Sequence, residues 1–431
     1  MPGLSVNYLG TANYRKRNTG QGIRHSGASM DRIVHLLLTG SLFIAQPALS
    51  QDLFSRRTDL TTEAGPISIC FGDFNIDGKL DIAVANYKSN SASIFLNRTA
   101  PGDTTPSFSS KMDIETGERP MSISVGDFNG DGKPDIAVAN YNSNTVSIFL
   151  NTTKPGAATP AFSKRMDFPT GERPISLSIS DFNGDGKPDF AVANYKSNTI
   201  SVFLNMTAQG SDTPAFSTKV DFTTGVRPVS LAAGDLNADG RPDIAVANYR
   251  ANTVSIFMNT TVRNETTVSF STKTDFSTEE RPMSVSIGDL NGDGKPDIGV
   301  GNYGSNTVSV LLNATRRGAV TPSFPTKTDF KTGSNPQSVC IVDVDGDGRP
   351  DLAVADYSSG TVSIFFNTTE PGSATPSFPI KKDIIAGTAP CSVSSGDLHG
   401  QEKPDLCVAN YGSNTVSIFL NLTSLRVVSP K

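Results

Sequence analysis

The sequence predicts an all-β chain, a seven-bladed β-propeller of four-stranded antiparallel blades closed by an N-terminal strand. Three observations predict it. An oxygen-rich stretch opens at Asp73, Asp127, Asp181, Asp235, Asp289, Asp343 and Asp397, a period of 54 residues with no insertion. Each period holds short alternating runs rich in β-branched and large apolar residues, separated by Gly, Pro and Asn turns, which is the pattern of strands rather than helices. The ends are offset: Phe54-Ser55-Arg56-Arg57-Thr58-Asp59-Leu60 reads as the fourth strand of a repeat, whereas the last repeat stops after a third strand at Thr415 to Leu420. A ring uses that offset to pair its first strand with its last and so leave no open edge; a linear solenoid, the other arrangement of stacked repeats, has no use for it.

Residues 1–29 are polar and basic, and Met30-Asp31-Arg32 then leads into an apolar run from Ile33 to Ala45. That run is too short to span a bilayer, and Ala48-Leu49-Ser50 supplies the small residues that a signal peptidase needs before Gln51. The reading is a non-functional extension over 1–29, a signal peptide over 30–50 and a single propeller over 51–431, secreted or extracellular, with attachment at the cell surface left open, monomeric and without a membrane span. A signal anchor with a basic cytosolic tail is the alternative. Removing the first 50 residues takes away five basic residues and one acidic residue, so the formal charge moves from −5 to −9, which argues against a nucleic-acid partner.

In the second repeat the strands are expected at Met121 to Val125, Ile136 to Ala139, Thr145 to Leu150 and Phe162 to Phe168. Between the first two lies Asp127-Phe128-Asn129-Gly130-Asp131-Gly132-Lys133-Pro134-Asp135. Oxygen side chains stand at positions 1, 3, 5 and 9 of this loop and glycine at position 6 allows the sharp turn, so the chemistry is that of a loop for a hard cation such as calcium. The ligand sets expected are Asp73, Asn75, Asp77 and Asp81; Asp127, Asn129, Asp131 and Asp135; Asp181, Asn183, Asp185 and Asp189; Asp235, Asn237, Asp239 and Asp243; Asp289, Asn291, Asp293 and Asp297; and Asp343, Asp345, Asp347 and Asp351. The seventh loop keeps Asp397 and Asp405 but carries His399, Gln401 and Glu402 between them, and is expected to bind weakly or not at all. The expected cofactor is therefore Ca2+, about six ions per chain, whose first role is to rigidify the hairpins.

Over residues 54 to 421 the repeats, with their metal loop followed by Asp-Ile-Ala-Val as at Asp135 to Val138, resemble the FG-GAP family, its VCBS-like variant and, more distantly, the propeller of integrin α chains. Phe71-Gly72 occurs once, and the family's Gly-Ala-Pro is replaced by Ala-Asn-Tyr, as at Ala139-Asn140-Tyr141. The resemblance implies a calcium-stabilised seven-bladed propeller used for adhesion, for ligand binding or as the scaffold of an extracellular enzyme. The fold does not choose among these.

Asn-x-Thr sequons recur at Asn97, Asn151, Asn205, Asn259, Asn313, Asn367 and Asn421, with another at Asn264. They read either as possible N-glycosylation sites in a secreted glycoprotein or as a single turn copied seven times. A meander alternates its connections between two faces, so the metal loops and sequon loops share one face and the Tyr turns and Gly-x-Arg-Pro turns share the other. That second face gathers Tyr87, Tyr141, Tyr195, Tyr249, Tyr303, Tyr357 and Tyr411 with Arg119, Arg173, Arg227 and Arg281, and is the expected face for an extracellular protein or glycan. The competing reading for the rings is packing between blades. Cys70, Cys340, Cys391 and Cys407 have no ligand spacing and read as small buried residues, with a disulfide as the alternative open to a secreted chain. Catalysis is the weaker reading, a polysaccharide-acting enzyme or the non-catalytic scaffold of one. His399 is the only histidine after residue 50, and each acid of the repeated loops already has a metal role.

Overall fold

Seven antiparallel four-stranded sheets follow one another along the chain in the computed structural model, which describes residues 53–423. The expected extension and signal peptide lie outside the described residues. Blade two shows the plan: Pro120–Gly126, Asp135–Asn140, Thr145–Phe149 and Met166–Pro169, each paired with the next. The first three strands are buried almost throughout, because Ile, Val and Leu on one side alternate with Ala and Ser on the other and both sides meet a neighbouring blade. The fourth strand has a wet side: Met166 and Phe168 are half-buried, Asp167 and Pro169 exposed.

That fourth strand is shorter than the expected Phe162 to Phe168. Phe162 makes only an isolated bridge to Asn151, and regular pairing resumes at Met166. Ser163 explains the break, since its side-chain oxygen accepts the amide of Leu150 at 2.9 Å where a ladder carbonyl would otherwise stand.

First strands of successive blades pack side by side, from Pro66–Gly72 against Pro120–Gly126 around to Pro390–Gly396 against Pro66–Gly72. A serine hydroxyl latches six of these junctions, as where Ile123 N donates to Ser68 Oγ at 3.2 Å and Val393 N to Ser338 Oγ at 3.0 Å. The seventh junction is latched the other way, by Cys391 Sγ and Ser394 Oγ donating to the carbonyls of Pro66 and Ile69 at 3.3 and 3.4 Å. Closure comes from Thr58–Thr61 pairing with Thr415–Phe419, with Thr58 opposite Ile418 and Thr61 opposite Thr415. Phe54 extends the seam by bridging Asn421 and setting its ring edge-on to Phe419 at 6.2 Å. The four cysteines are free and buried, as small core residues. Among the described residues no helix is long and apolar enough to cross a membrane.

Candidate metal loops and candidate ligand face

Two carboxylates fold each loop. Asp127 accepts the amides of Asp131 and Gly132 at 3.0 and 2.8 Å, pulling the chain into a nest; Gly132 has φ of +83°, a left-handed value that suits glycine. Asp135 is wholly buried at the start of its strand and accepts Phe128 N at 2.8 Å and Asn151 N at 2.7 Å. The same bonds recur at Asp73, Asp181, Asp235, Asp289 and Asp343 in position 1, and at Asp81, Asp189, Asp243, Asp297 and Asp351 in position 9.

The asparagines at position 3 tie their loop to the next blade, and those of the first, third and fourth loops also donate to the carboxylate at position 5. Asn129 Nδ2 donates to Ser211 O at 2.9 Å in the long loop of the next blade, and Asn75, Asn183, Asn237 and Asn291 do likewise. The oxygens of Asn129, Asn183, Asn237 and Asn291 accept the amide of the Asp at position 5 at 3.0 to 3.2 Å, whereas Asn75 Oδ1 is buried with no hydrogen-bond partner. In the sixth loop the ligand atoms of Asp343, Asp345 and Asp351 lie within 4.8 Å of one another. At position 5, Asp131, Asp239 and Asp293 each face the cation at position 7, with Lys133 Nζ 3.2 Å from Asp131.

Burial, followed by repulsion from the acids at positions 1 and 5, pushes the carboxyls of Asp81, Asp135, Asp189, Asp243 and Asp297 up to about 7; burial, followed by repulsion from Asp345 and Asp343, pushes that of Asp351 to about 8, and two backbone hydrogen bonds pull each of the six down. Acids crowded in this way are the condition that a divalent cation relieves. The orphaned amide oxygen of the first loop and the three gathered carboxylates of the sixth fit a metal, so these two clusters are able to coordinate one. In the seventh loop His399 Nδ1 lies 2.9 Å from Asp405 Oδ2 and 3.7 Å from Asp397 Oδ1, while Glu402 takes the left-handed turn with φ of 56° where the other six loops have glycine. The imidazole lies between the two carboxylates that it separates.

Seven of the eight sequon asparagines are buried. Asn151 is buried, and both hydrogens of its amide are used: Nδ2 donates to Phe74 O at 3.0 Å in the preceding metal loop and to Pro134 O at 3.1 Å in its own. Asn97, Asn205, Asn259, Asn313, Asn367 and Asn421 are buried in the same double clasp. The sequon threonine has its own task, since Thr153 Oγ1 accepts Ala161 N at 2.9 Å and closes the long loop. A sugar on any of these nitrogens would open a blade junction. Asn264 alone of the eight is exposed, in a left-handed turn with φ of 63°.

The faces sort as the meander requires. Gly156 N donates to Asn75 O at 2.6 Å, tying a sequon loop to a metal loop, whereas at the other end Tyr141 N donates to Arg119 O at 3.0 Å. There Arg119, Arg173 and Arg227 lay their guanidiniums over Tyr87, Tyr141 and Tyr195 at 5.4, 5.3 and 5.3 Å. Tyr249 is covered from its own turn by Arg250, at 5.9 Å, and Arg281 is exposed without such a ring contact. The rings also meet across blades, Tyr141 and Tyr195 at 6.4 Å and Tyr87 and Tyr411 at 6.3 Å, so they pack between blades; Tyr195 is buried and the other six are half-buried. Burial raises the hydroxyls of Tyr195, Tyr303 and Tyr411, and pushes Tyr357 to about 12.

Sequence reasoning missed a polar chain beneath this face. Gly117 N donates to Asn140 Oδ1 at 3.0 Å, Asn140 Nδ2 to Ser147 Oγ at 2.7 Å, and Ser147 Oγ to Asp167 Oδ1 at 2.6 Å. Its signal was the Asn of each Ala-Asn-Tyr, and Gly117 belongs to it, since a Cβ there would come within 2.6 Å of Asn140 Cγ. Blade six breaks the chain. Asp356 replaces the asparagine, so Ser363 Oγ has one hydrogen for two carboxylates, Asp356 Oδ2 at 2.6 Å and Asp383 Oδ1 at 2.8 Å. Asp356 Oδ1 is buried without a partner, and burial pushes this carboxyl up to about 6.

Among known proteins, the profile of the FG-GAP-like repeat family matches residues 73–138, 127–192, 181–246, 235–300, 289–354 and 343–408. No protein with a curated description matches significantly. Similar solved structures include BBS1N in complex with ARL6DN, soaked with mercury (14% identity, TM-score 0.55, 88% of this chain and 99% of that one). Another is a catalytically inactive variant of virginiamycin B lyase from Staphylococcus aureus with quinupristin (11% identity, TM-score 0.53, 85% and 99%). At these identities the likeness is one of fold.

Proposed function

Given that this chain belongs to the FG-GAP-like repeat family, we propose that it is a secreted propeller, stabilised by calcium in six loops, that binds an extracellular protein or glycan through its Tyr/Arg end. The observation that carries this reading is the division of chemistry between the ends: converging carboxylates at one, and cationic, aromatic side chains over a rigid turn at the other. Calcium suits the loops because the donors are all oxygen and sit on a turn able to take a large coordination sphere. The holders in each loop would be the side chains at positions 1, 3, 5 and 9, Asp127, Asn129, Asp131 and Asp135 in blade two. The ion would offset the repulsion of buried acids and tie each loop to its neighbour. Asn264 is the one position of the eight where a glycan would fit.

The test is to probe the secreted 51–431 chain against glycan and extracellular-protein arrays in calcium and in EDTA, with the melting temperature followed in parallel. Calcium-dependent melting together with a ligand lost on replacing Arg119 and Arg173 by Ala supports the proposal. Binding that survives those changes but is abolished by changes in the sequon loops refutes the face assignment.

A further inference from the structure

The turn that carries the arginines is left-handed in every blade: φ is 72° at Gly65, 54° at Arg119, 59° at Arg173, 58° at Arg227, 56° at Arg281, 58° at Asn335 and 56° at Ala389. Main chain and asparagines hold this turn by themselves. Arg119, Arg173, Arg227 and Arg281 donate their amides to Asn90, Asn144, Asn198 and Asn252 Oδ1 at 2.8 to 2.9 Å, and Gly65 and Asn335 make the same bond at 2.9 and 2.8 Å. The fold asks here for glycine or asparagine, the residue types that accept a left-handed φ most readily, and a long side chain is strained. Four adjacent junctions nevertheless carry arginine.

None of those four arginines forms an ion pair among the described residues; of the neighbouring acids, Glu63, Glu172 and Glu279 are held by Lys111, Lys196 and Lys327, while Glu118 and Glu280 stand exposed beside Arg119 and Arg281. Around the rest of this end, the turns at 332–335, 357–360, 386–389 and 411–414 contain no Lys, Arg, Asp or Glu. The cationic side chains therefore form an arc over part of a ring whose backbone is uniform. Three of the guanidiniums lie over tyrosine rings, at 5.3 to 5.4 Å from the centroid, which places one donor fork at each of three successive blade junctions.

We propose that this arc binds a linear anionic polysaccharide with a carboxylate or sulfate on successive sugar units, a proposal that rests on the Tyr/Arg end being the ligand face. Forked guanidinium donors match carboxylate and sulfate oxygens in pairs. A polymer with regularly repeated charge meets donors repeated at one step per blade, and the half-buried rings of Tyr87, Tyr141 and Tyr249 beside them suit the apolar faces of sugar rings. An acidic peptide repeats carboxylates but has no sugar ring to lay against the tyrosines.

Binding of the 51–431 chain would be measured at fixed free calcium against immobilised polygalacturonate, dextran sulfate, neutral dextran and polyglutamate. The expected result is binding to polygalacturonate or dextran sulfate, the pair separating carboxylate from sulfate, with neutral dextran silent and polyglutamate at least tenfold weaker. Replacing all four arginines by asparagine (Arg119→Asn, Arg173→Asn, Arg227→Asn, Arg281→Asn), which the turn accepts, should weaken binding at least tenfold while the melting temperature holds or rises. The single Arg173→Asn variant should lie between. Failure of the wild type to bind either anionic polysaccharide, or tighter binding to neutral dextran or polyglutamate, overturns the proposal. If the array ligand of the preceding section is lost in the fourfold variant, the ligand face stands and only the anionic class has failed. Anionic binding that persists in the fourfold variant but disappears on Arg263→Ala or Arg316→Ala, at the opposite end, overturns the face itself.

Discussion

The loop end and the turn end are made by the same seven repeats but differ in what varies between copies. At the loop end side chain and backbone repeat together: Asp at positions 1, 5 and 9 in six loops, and the Asn151 clasp in all seven blades. At the turn end the backbone repeats while its side chain passes from Gly65 through four arginines to Asn335 and Ala389. A side chain copied with its backbone does a task that each blade needs, such as closing a junction or offsetting buried charge. One that changes over a constant turn is released from that task and is free to differentiate a surface. The proposed function accordingly places stability at the loop end and recognition at the turn end.

The largest effect should come from removing the closure on which both ends depend. Deleting residues 51–61 takes away Phe54 and Thr58–Thr61 and bares Thr415–Phe419 as an unpaired edge. Size-exclusion chromatography should show aggregation in place of a monomer, and a monomeric, normally melting truncation would contradict closure. Next is the clasp: Asn151→Ala strands the carbonyls of Phe74 and Pro134 and the amide of Thr153, and should cost about 2–4 kcal/mol in urea melts. Intact mass should show no glycan at the seven clasp asparagines.

Blade six sharpens the comparison, because there a residue copied in six blades has changed beneath the turn end. Asp356 is raised from 3.8 to about 6, so the folded chain binds more protons than the unfolded one between those values and stability falls as pH rises through that window. Lys381, which pulls its pKa down, and Asp383, which competes for Ser363, are the charged groups facing it. Asp356→Asn restores the pattern of the other blades and should stabilise by about 1–2 kcal/mol above pH 6 while flattening that slope. Denaturant melts from pH 4 to pH 8 would reveal it. The smallest effect is on the arginines, whose replacement by asparagine should move stability by no more than about 0.5 kcal/mol.

Much of this was legible in the sequence, because a 54-residue period announces a ring and an offset strand such as Phe54 to Leu60 announces how it closes. The loop positions were legible too, since their spacing is local. What stayed hidden depends on partners far along the chain. Asn151 bonds carbonyls 77 and 17 residues away, and nothing in Asn-x-Thr separates a buried clasp from a glycan acceptor. The Asn140–Ser147–Asp167 chain joins three strands and was likewise invisible. The fourth strand was drawn too long because Phe162 looks like its neighbours, whereas Ser163 interrupts the ladder with a side-chain bond.

The most direct test of the division is to strip the 51–431 chain with chelator and return calcium while counting bound ions and following the melting temperature. Six loops carry Asp or Asn at positions 1, 3, 5 and 9 and the seventh carries His399, so the count should reach about six. The melting temperature should climb by about 10 °C or more as they fill, since each ion that binds only the folded ring adds stability by mass action. Asp131→Ala should lower the count by one. A melting temperature that is the same in EDTA and in excess calcium would contradict the account.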